Sequence, residues 1–295
     1  MSLNPVLSQT GVPVPAKSCT CGCMTRSRRY PTDLTHKQWA IIEPLLPVPA
    51  CRQPRGGRPE RHCRRQIINA LFYLVDNGIK WRAMPADFPP WRTVYGFFLR
   101  WSDNLTTHGL TKQLRTRIRM SLGRNPQPSA GCIDAQSVHE SAEGVVPSSE
   151  SGYDSHKHVN GRKRHIVVDT LGLLCCVVVT AANIRDSHAA AKPLYAAADC
   201  GIRHIWADQG YHTERLITAA QHILGITIEI VRRPTTGRGH GFHILPRRWV
   251  VERTFAWISR RRRCARDYER RTDHHETMVH WAAIIQMTRQ QARLP

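Results

Sequence analysis

Asp134 and Asp208 each close a short apolar run, in GCID and HIWAD, and the surrounding residues give neither a structural task. The other acids nearby are easily placed. Asp169 fits a turn, Asp186 beside Ser187 fits a helix N-cap, and Glu229 fits the outward side of an alternating strand. If the strands ending in Asp134 and Asp208 are neighbours, the two residues stand roughly 5 Å apart at the backbone. Carboxylates that close repel unless a cation joins them. Hard oxygen ligands of this kind suit Mg²⁺ or Mn²⁺.

A third acid, Glu252, lies alone in LPRRWVVERTFAWISRRRR, residues 245–263. At 3.6 residues per turn, Arg248 precedes it by one turn on the same face, and Ala256, Ser259 and Arg263 follow within about 40° of it. Val251, Phe255 and Ile258 make an adjoining apolar stripe suited to docking on a core. Glu252 is then held at the edge of a buried face, either as a counter-ion for the arginines or as a metal ligand.

The elements that must position these acids follow from periodicity. Thr35 fits an N-cap for a helix over HKQWAIIEPLLP. Ile67, Ile68, Leu71, Phe72 and Val75 recur at helical spacing up to Asn77-Gly78. In RTVYGFFLRWSD, Val94, Phe97, Phe98 and Trp101 share one face and Arg92, Gly96 and Arg100 the other, so these helices resemble a helix-turn-helix. A further helix over 108–122 leads to GRNPQPSAG, a domain boundary. Beyond it the period becomes that of strands: GCIDAQSV, a basic loop ending in HKHVNGRKRH, RHIVVD, GLLCCVVVTA buried on both faces, RHIWAD and GITIEIV. Helices flank them, including one over 212–222 and an amphipathic one over 275–292. The result is a mixed α/β domain over 126–295, a helical domain over 32–125 and a disordered tail over 1–31.

Lys and Arg number 43 against 22 Asp and Glu, a formal net charge of +21, which favours a polyanionic partner. No run of 18 apolar residues and no ordinary signal peptide is present, so nucleic acid is expected rather than a membrane. The ten cysteines lack zinc-site spacing. Those inside apolar runs, such as Cys132, Cys175 and Cys176, behave as small hydrophobes in a reducing cytosol.

IDAQSV, GRKRHIVVDTLGLL with VVVTAAN, IWADQGY and PRRWVVERTFAWI, in that order, resemble the catalytic half of bacterial insertion-sequence transposases of the DDE type. LTHKQWAIIEPLLP, GRPERH and MPADFPPWRTVYGFFLRW resemble the same family's N-terminal region, so the likeness runs from about residue 33 to the end. It implies an RNase-H-like mixed sheet with flanking helices, preceded by a small helical domain. It implies Asp134, Asp208 and Glu252 as catalytic residues holding Mg²⁺ or Mn²⁺, as two ions. The expected partners are the element's terminal repeats and target DNA, with a homodimer assembled on the DNA in a bacterial, nucleoid-associated setting. Arg248 and Glu252 match the Tyr-x2-Arg-x3-Glu-x6-Lys signature of related enzymes. Leu245 and Ser259 depart from it, leaving Arg260 or Arg263 to supply the missing cation. Arg92 and Arg100 are expected to read a groove, and Arg162, Lys163, Arg164 and Arg248 to hold phosphates. The rival readings are another metal-dependent nuclease on the same fold, an inactive transposase-derived DNA-binding protein, and zinc binding by His156, His158 and His165.

Overall fold

The computed structural model describes residues 25, 27–54, 56–140, 146–232 and 247–294. Nearly all of the expected tail, and Leu245, lie outside the described residues.

Helix α1 (His36–Ile42) starts where Thr35 and Gln38 exchange a reciprocal cap, each side chain accepting from the other's backbone N–H. Helix α2 (Arg64–Asn77) stops at Gly78, whose φ of 68° is left-handed. A Cβ there would also lie 2.8 Å from that of Arg262, so only glycine fits. Helices α3 (Trp91–Asp103) and α4 (Thr106–Ser121) follow, and all four apolar residues of the α3 stripe are buried.

The sheet is built from β1 (Ala130–His139), β2 (Gly152–Asp154), β3 (Val159–Asp169), β4 (Leu174–Ala181), β5 (His204–Ala207) and β6 (Thr227–Ile230). Strand β3 runs antiparallel to β1, β2 and β4, whereas β5 runs parallel to β1 and β6 parallel to β5. Antiparallel strands continued by parallel ones, with helices on both faces, form an RNase-H-like mixed α/β fold. Between the later strands lie α5 (Asp186–Ala189), α6 (Ala191–Asp199) and α7 (Glu214–Leu224). After β6 come α8 (Trp249–Ser259), α9 (Arg262–Ala265) and α10 (Thr272–Gln291).

Alternation along the strands divides the core in two. Ile133, Val167, Cys176 and Ile205 point to the side covered by α6 and α7. Cys132, Ile166, Val168 and Val177 point to the other, where one apolar cluster continues through α8 and α10 into α1–α4. That cluster crosses residue 125 without a break. Arg119 of α4 also forms a buried pair with Asp169 at 2.6 Å, while Asp169 accepts from the Leu171 and Leu173 N–H groups of its turn.

Two expectations need correction. The basic stretch before RHIVVD is strand rather than loop, because β3 begins at Val159 and pairs with β1 through Gly161. Arg162 and Lys163 meet acids of distant elements, Asp267 and Asp186, and Arg164 meets neutral oxygens, a compensation invisible to local pattern. The last helix is not amphipathic: α10 is buried on most sides from His274 to Thr288, being wedged between α4, α2 and β4.

Candidate active site

β1 and β5 pair in parallel as far as Cys132 opposite Trp206, and Asp134 and Asp208 each lie two residues beyond that last pair. The Asp134 Oδ1 accepts from the Ala135 N–H at 2.8 Å. Asp208 caps the single turn that follows it, its Oδ1 accepting from the Gly210 N–H at 2.9 Å. The other oxygen of each faces one cation. Arg248 Nη2 lies 3.2 Å from Asp134 Oδ2 and 3.7 Å from Asp208 Oδ2. Burial pushes the Asp134 carboxyl up to about 6, with Arg248 opposing and Asp208 adding to the rise.

Arg248 stands at the start of α8, which packs on β1 and β3. Glu252, one turn later on the same face, is exposed and has no hydrogen bond or ion pair among the described residues. The counter-ion arrangement between Arg248 and Glu252 is therefore not formed, because Arg248 is engaged by the aspartates. Among the described residues no three His, Cys, Asp or Glu side chains converge tightly enough to ligate one ion. The donor set nevertheless fits a hard divalent cation: two carboxylates that meet at one guanidinium, one of them raised by burial, with an unpaired glutamate one turn further along α8.

The predicted DNA-contacting cations divide sharply. Arg162 is fully buried, donating from Nη1 to Asp267 at 3.1 Å and to the Glu269 carbonyl at 2.8 Å, and pairing also with Glu150. Lys163 is buried between Asp186 at 3.0 Å and Asp154 at 3.5 Å. Arg164 is enclosed, donating to Gln136, to Ser259 at 2.9 Å and to the Cys264 carbonyl at 2.9 Å. Arg263 pairs with Glu269 at 2.6 Å. These four hold the fold together and are not presented to a phosphate backbone. Arg92, Arg100 and Arg260 are exposed. Arg92 lies over Trp91 and Arg100 over Phe97.

Arg164 has a positioning effect of its own, since its contacts with Gln136 in β1 and Ser259 in α8 fix the helix carrying Glu252 over the strand carrying Asp134.

Several residues near the aspartates escaped sequence reasoning. Asp186 is not a cap: its side chain caps no N–H of α5 and turns to Lys163. A Cβ on Gly210 would sit 3.0 Å from Asp208 Oδ1 and 3.1 Å from Asp186 Oδ2, so these acids flank one glycine. Burial alone would raise the Asp154 carboxyl, but the Ser137 hydroxyl, the Lys157 and His156 N–H groups and Lys163 hold it down to about 2. Tyr211 is buried nearby, its phenol raised by burial and then by Asp186, Asp134 and Asp208. Acids next to basic residues of remote elements leave no local signal. The three histidines do not converge. His165 is buried against Thr180, burial lowering it to about 4, while His156 and His158 are exposed.

Two families match the chain. One described as "Putative transposase of IS4/5 family" covers residues 34–111, and one described as "Transposase DDE domain" covers residues 125–287. The chain is 36% identical over 124 residues to a Burkholderia cepacia protein named "Putative transposase for insertion sequence element IS402". That stretch is 39% of this chain and 57% of the relative, so the match spans little more than half of the relative's length. No solved structure matches. Among the described residues no helix is long and apolar enough to cross a membrane.

Proposed function

This chain belongs to the DDE transposase family, and from that premise we propose that it cuts DNA at the ends of an insertion sequence and joins the freed end to target DNA. The observation that carries this reading is the approach of Asp134 Oδ2 and Asp208 Oδ2 to one Arg248 nitrogen, with Glu252 unpartnered among the described residues one turn further along α8.

Asp134, Asp208 and Glu252 are the residues that would hold Mg²⁺ or Mn²⁺, as a pair of ions. Bound there, such ions supply an activated water or 3′-hydroxyl on one side of the phosphodiester and charge stabilisation for the leaving oxygen on the other. Backbone N–H groups fix one oxygen of each aspartate and direct the second into the site. Arg248 offsets the repulsion between the aspartates and is the nearest guanidinium to an incoming phosphate. Glu252, bound to nothing else, is free to turn inward. Hydrolysis and strand transfer would share these residues, so one site serves both. The DNA partners are duplexes carrying the element's terminal repeats and target duplex, with two copies of the chain assembled on them.

The test is Glu252→Gln, assayed with Mg²⁺ and with Mn²⁺ on DNA bearing the flanking terminal repeats. The variant should bind this DNA and melt like the parent, yet lose cleavage and strand transfer together by at least about 100-fold. A stable variant that cuts at nearly the parental rate would overturn the assignment. Absence of cutting by the parent protein would favour a transposase-derived binder instead.

A further inference from the structure

The turn at Thr170 and Leu171, helix α8 and the last turns of α10 enclose a groove of about 810 Å³. Its working surface is Trp249, Arg253, Trp257, Arg260, Arg289 and Arg293, and no acidic residue lines it. Arg253 is wedged between two indoles, 4.3 Å from the ring centroid of Trp249 and 4.5 Å from that of Trp257, and donates to the Leu171 carbonyl at 2.9 Å. It acts as a spacer that fixes the groove wall. Arg261 is already neutralised by Asp76. Arg260, Arg289 and Arg293 form no ion pair among the described residues, although they share one cleft. Burial lowers the pKa of the Arg289 guanidinium and neighbouring Arg261 lowers it further, with Asp76 opposing. Asp76 is already paired with Arg261, so the positive charges of the cleft outnumber the acids near them, and a polyanion is the partner that relieves their repulsion.

The groove also lies beside the candidate site. On α8 the groove residues Trp249, Arg253, Trp257 and Arg260 stand about 60–140° round the helix from Glu252, so the groove runs along the flank next to the face that carries this acid. From Trp249 to Arg260 the helix advances about 16 Å, the length of about five base-pair steps. We propose that this groove is the track for duplex DNA flanking the scissile phosphate, and that it grips the sugar–phosphate backbone without reading base sequence. The proposal rests on the reading of the chain as a DNA-cutting enzyme.

Fluorescence anisotropy of the full chain with a terminal-repeat duplex and a random duplex, titrated with salt, tests it. Arg289→Gln with Arg293→Gln should weaken both duplexes by the same factor, about tenfold or more, and flatten the dependence of log affinity on log salt by about 2. Arg293→Gln alone, at an exposed position, should flatten it by about 1, and Arg293→Lys should restore it. Unchanged slopes, or losses confined to the terminal repeat, would each overturn the track. If the parent protein binds neither duplex, the functional reading itself falls. If the parent binds and the variants bind equally well, only the groove falls.

Discussion

Arg162 and Arg164 in β3, and Arg260, Arg289 and Arg293 beside the α8–α10 groove, carry the same guanidinium into opposite surroundings. In the primary structure Arg162 and Arg164 belong to the basic stretch GRKRH and Arg260 to RRRR, whereas Arg289 and Arg293 stand singly in QMTRQQARLP. Arg162 is fully buried and meets Asp267, Glu150 and backbone carbonyls. Arg164 is almost as buried, but its hydrogen-bond partners are neutral oxygens, and burial lowers its pKa. The groove arginines form no ion pair among the described residues and line an open cleft. A buried charge must be met by partners or it unfolds the site, whereas an exposed one is free to be met by something else. Charge density along a chain therefore does not identify a binding surface; whether internal partners already enclose the charge does.

The largest test of that contrast is Arg162→Met. It strips the guanidinium from the buried Asp267 and should cost about 3–5 kcal/mol in urea unfolding, while Arg260→Ala should stay within about 0.5 kcal/mol. Similar small losses for both would erase the distinction.

Asp134 sharpens the comparison from the acidic side, because burial outweighs what Arg248 provides. Its carboxyl is raised from 3.8 in the unfolded chain to about 6 in the fold, so the folded state holds the proton more tightly. Metal-free stability should therefore fall as pH rises from about 4 to about 6. Asp134→Asn should remove that decline and make the protein more stable at pH 7 by up to about 3 kcal/mol. Parallel pH–stability curves for the parent and the variant would show that Arg248 compensates Asp134 completely.

The smallest effect on stability belongs to Arg92 and Arg100, exposed on α3. Alanine at both should leave the unfolding free energy within about 0.5 kcal/mol. If α3 reads a groove, affinity for the terminal repeat should fall while affinity for random duplex holds. Equal losses on both would place them with the backbone-contacting cations.

Much of the local architecture is written in the chain. Thr35 and Gln38 announce the first helix because their side chains satisfy N–H groups that no helix can pair internally. Val251, Phe255 and Ile258 announce the docking side of α8, and all three are buried. The strands that carry Asp134 and lead to Asp208 follow from the change of period, although β1 runs on to His139 instead of ending at Asp134, but their adjacency does not. It depends on β5 crossing back to lie parallel to β1.

Local pattern fixes the type of most principal elements and, outside the basic part of β3 and the all-round burial of α10, the apolar side each turns inward, since periods of two and 3.6 are properties of neighbouring residues. Tertiary structure alone decided where the charges went. Arg162 and Asp267 are 105 positions apart, and nothing local to either predicts their meeting. The basic run before RHIVVD looks like a solvated loop until β1, β4 and the acids of later elements close round it. Helix α10 looks amphipathic until the N-terminal helices cover the side that β4 does not. Arg248 is a free neighbour of Glu252 until β1 and β5 bring two aspartates within its reach. Hydrophobic patterning acts through nearest neighbours on one element, whereas ionic compensation depends on which elements the topology brings together.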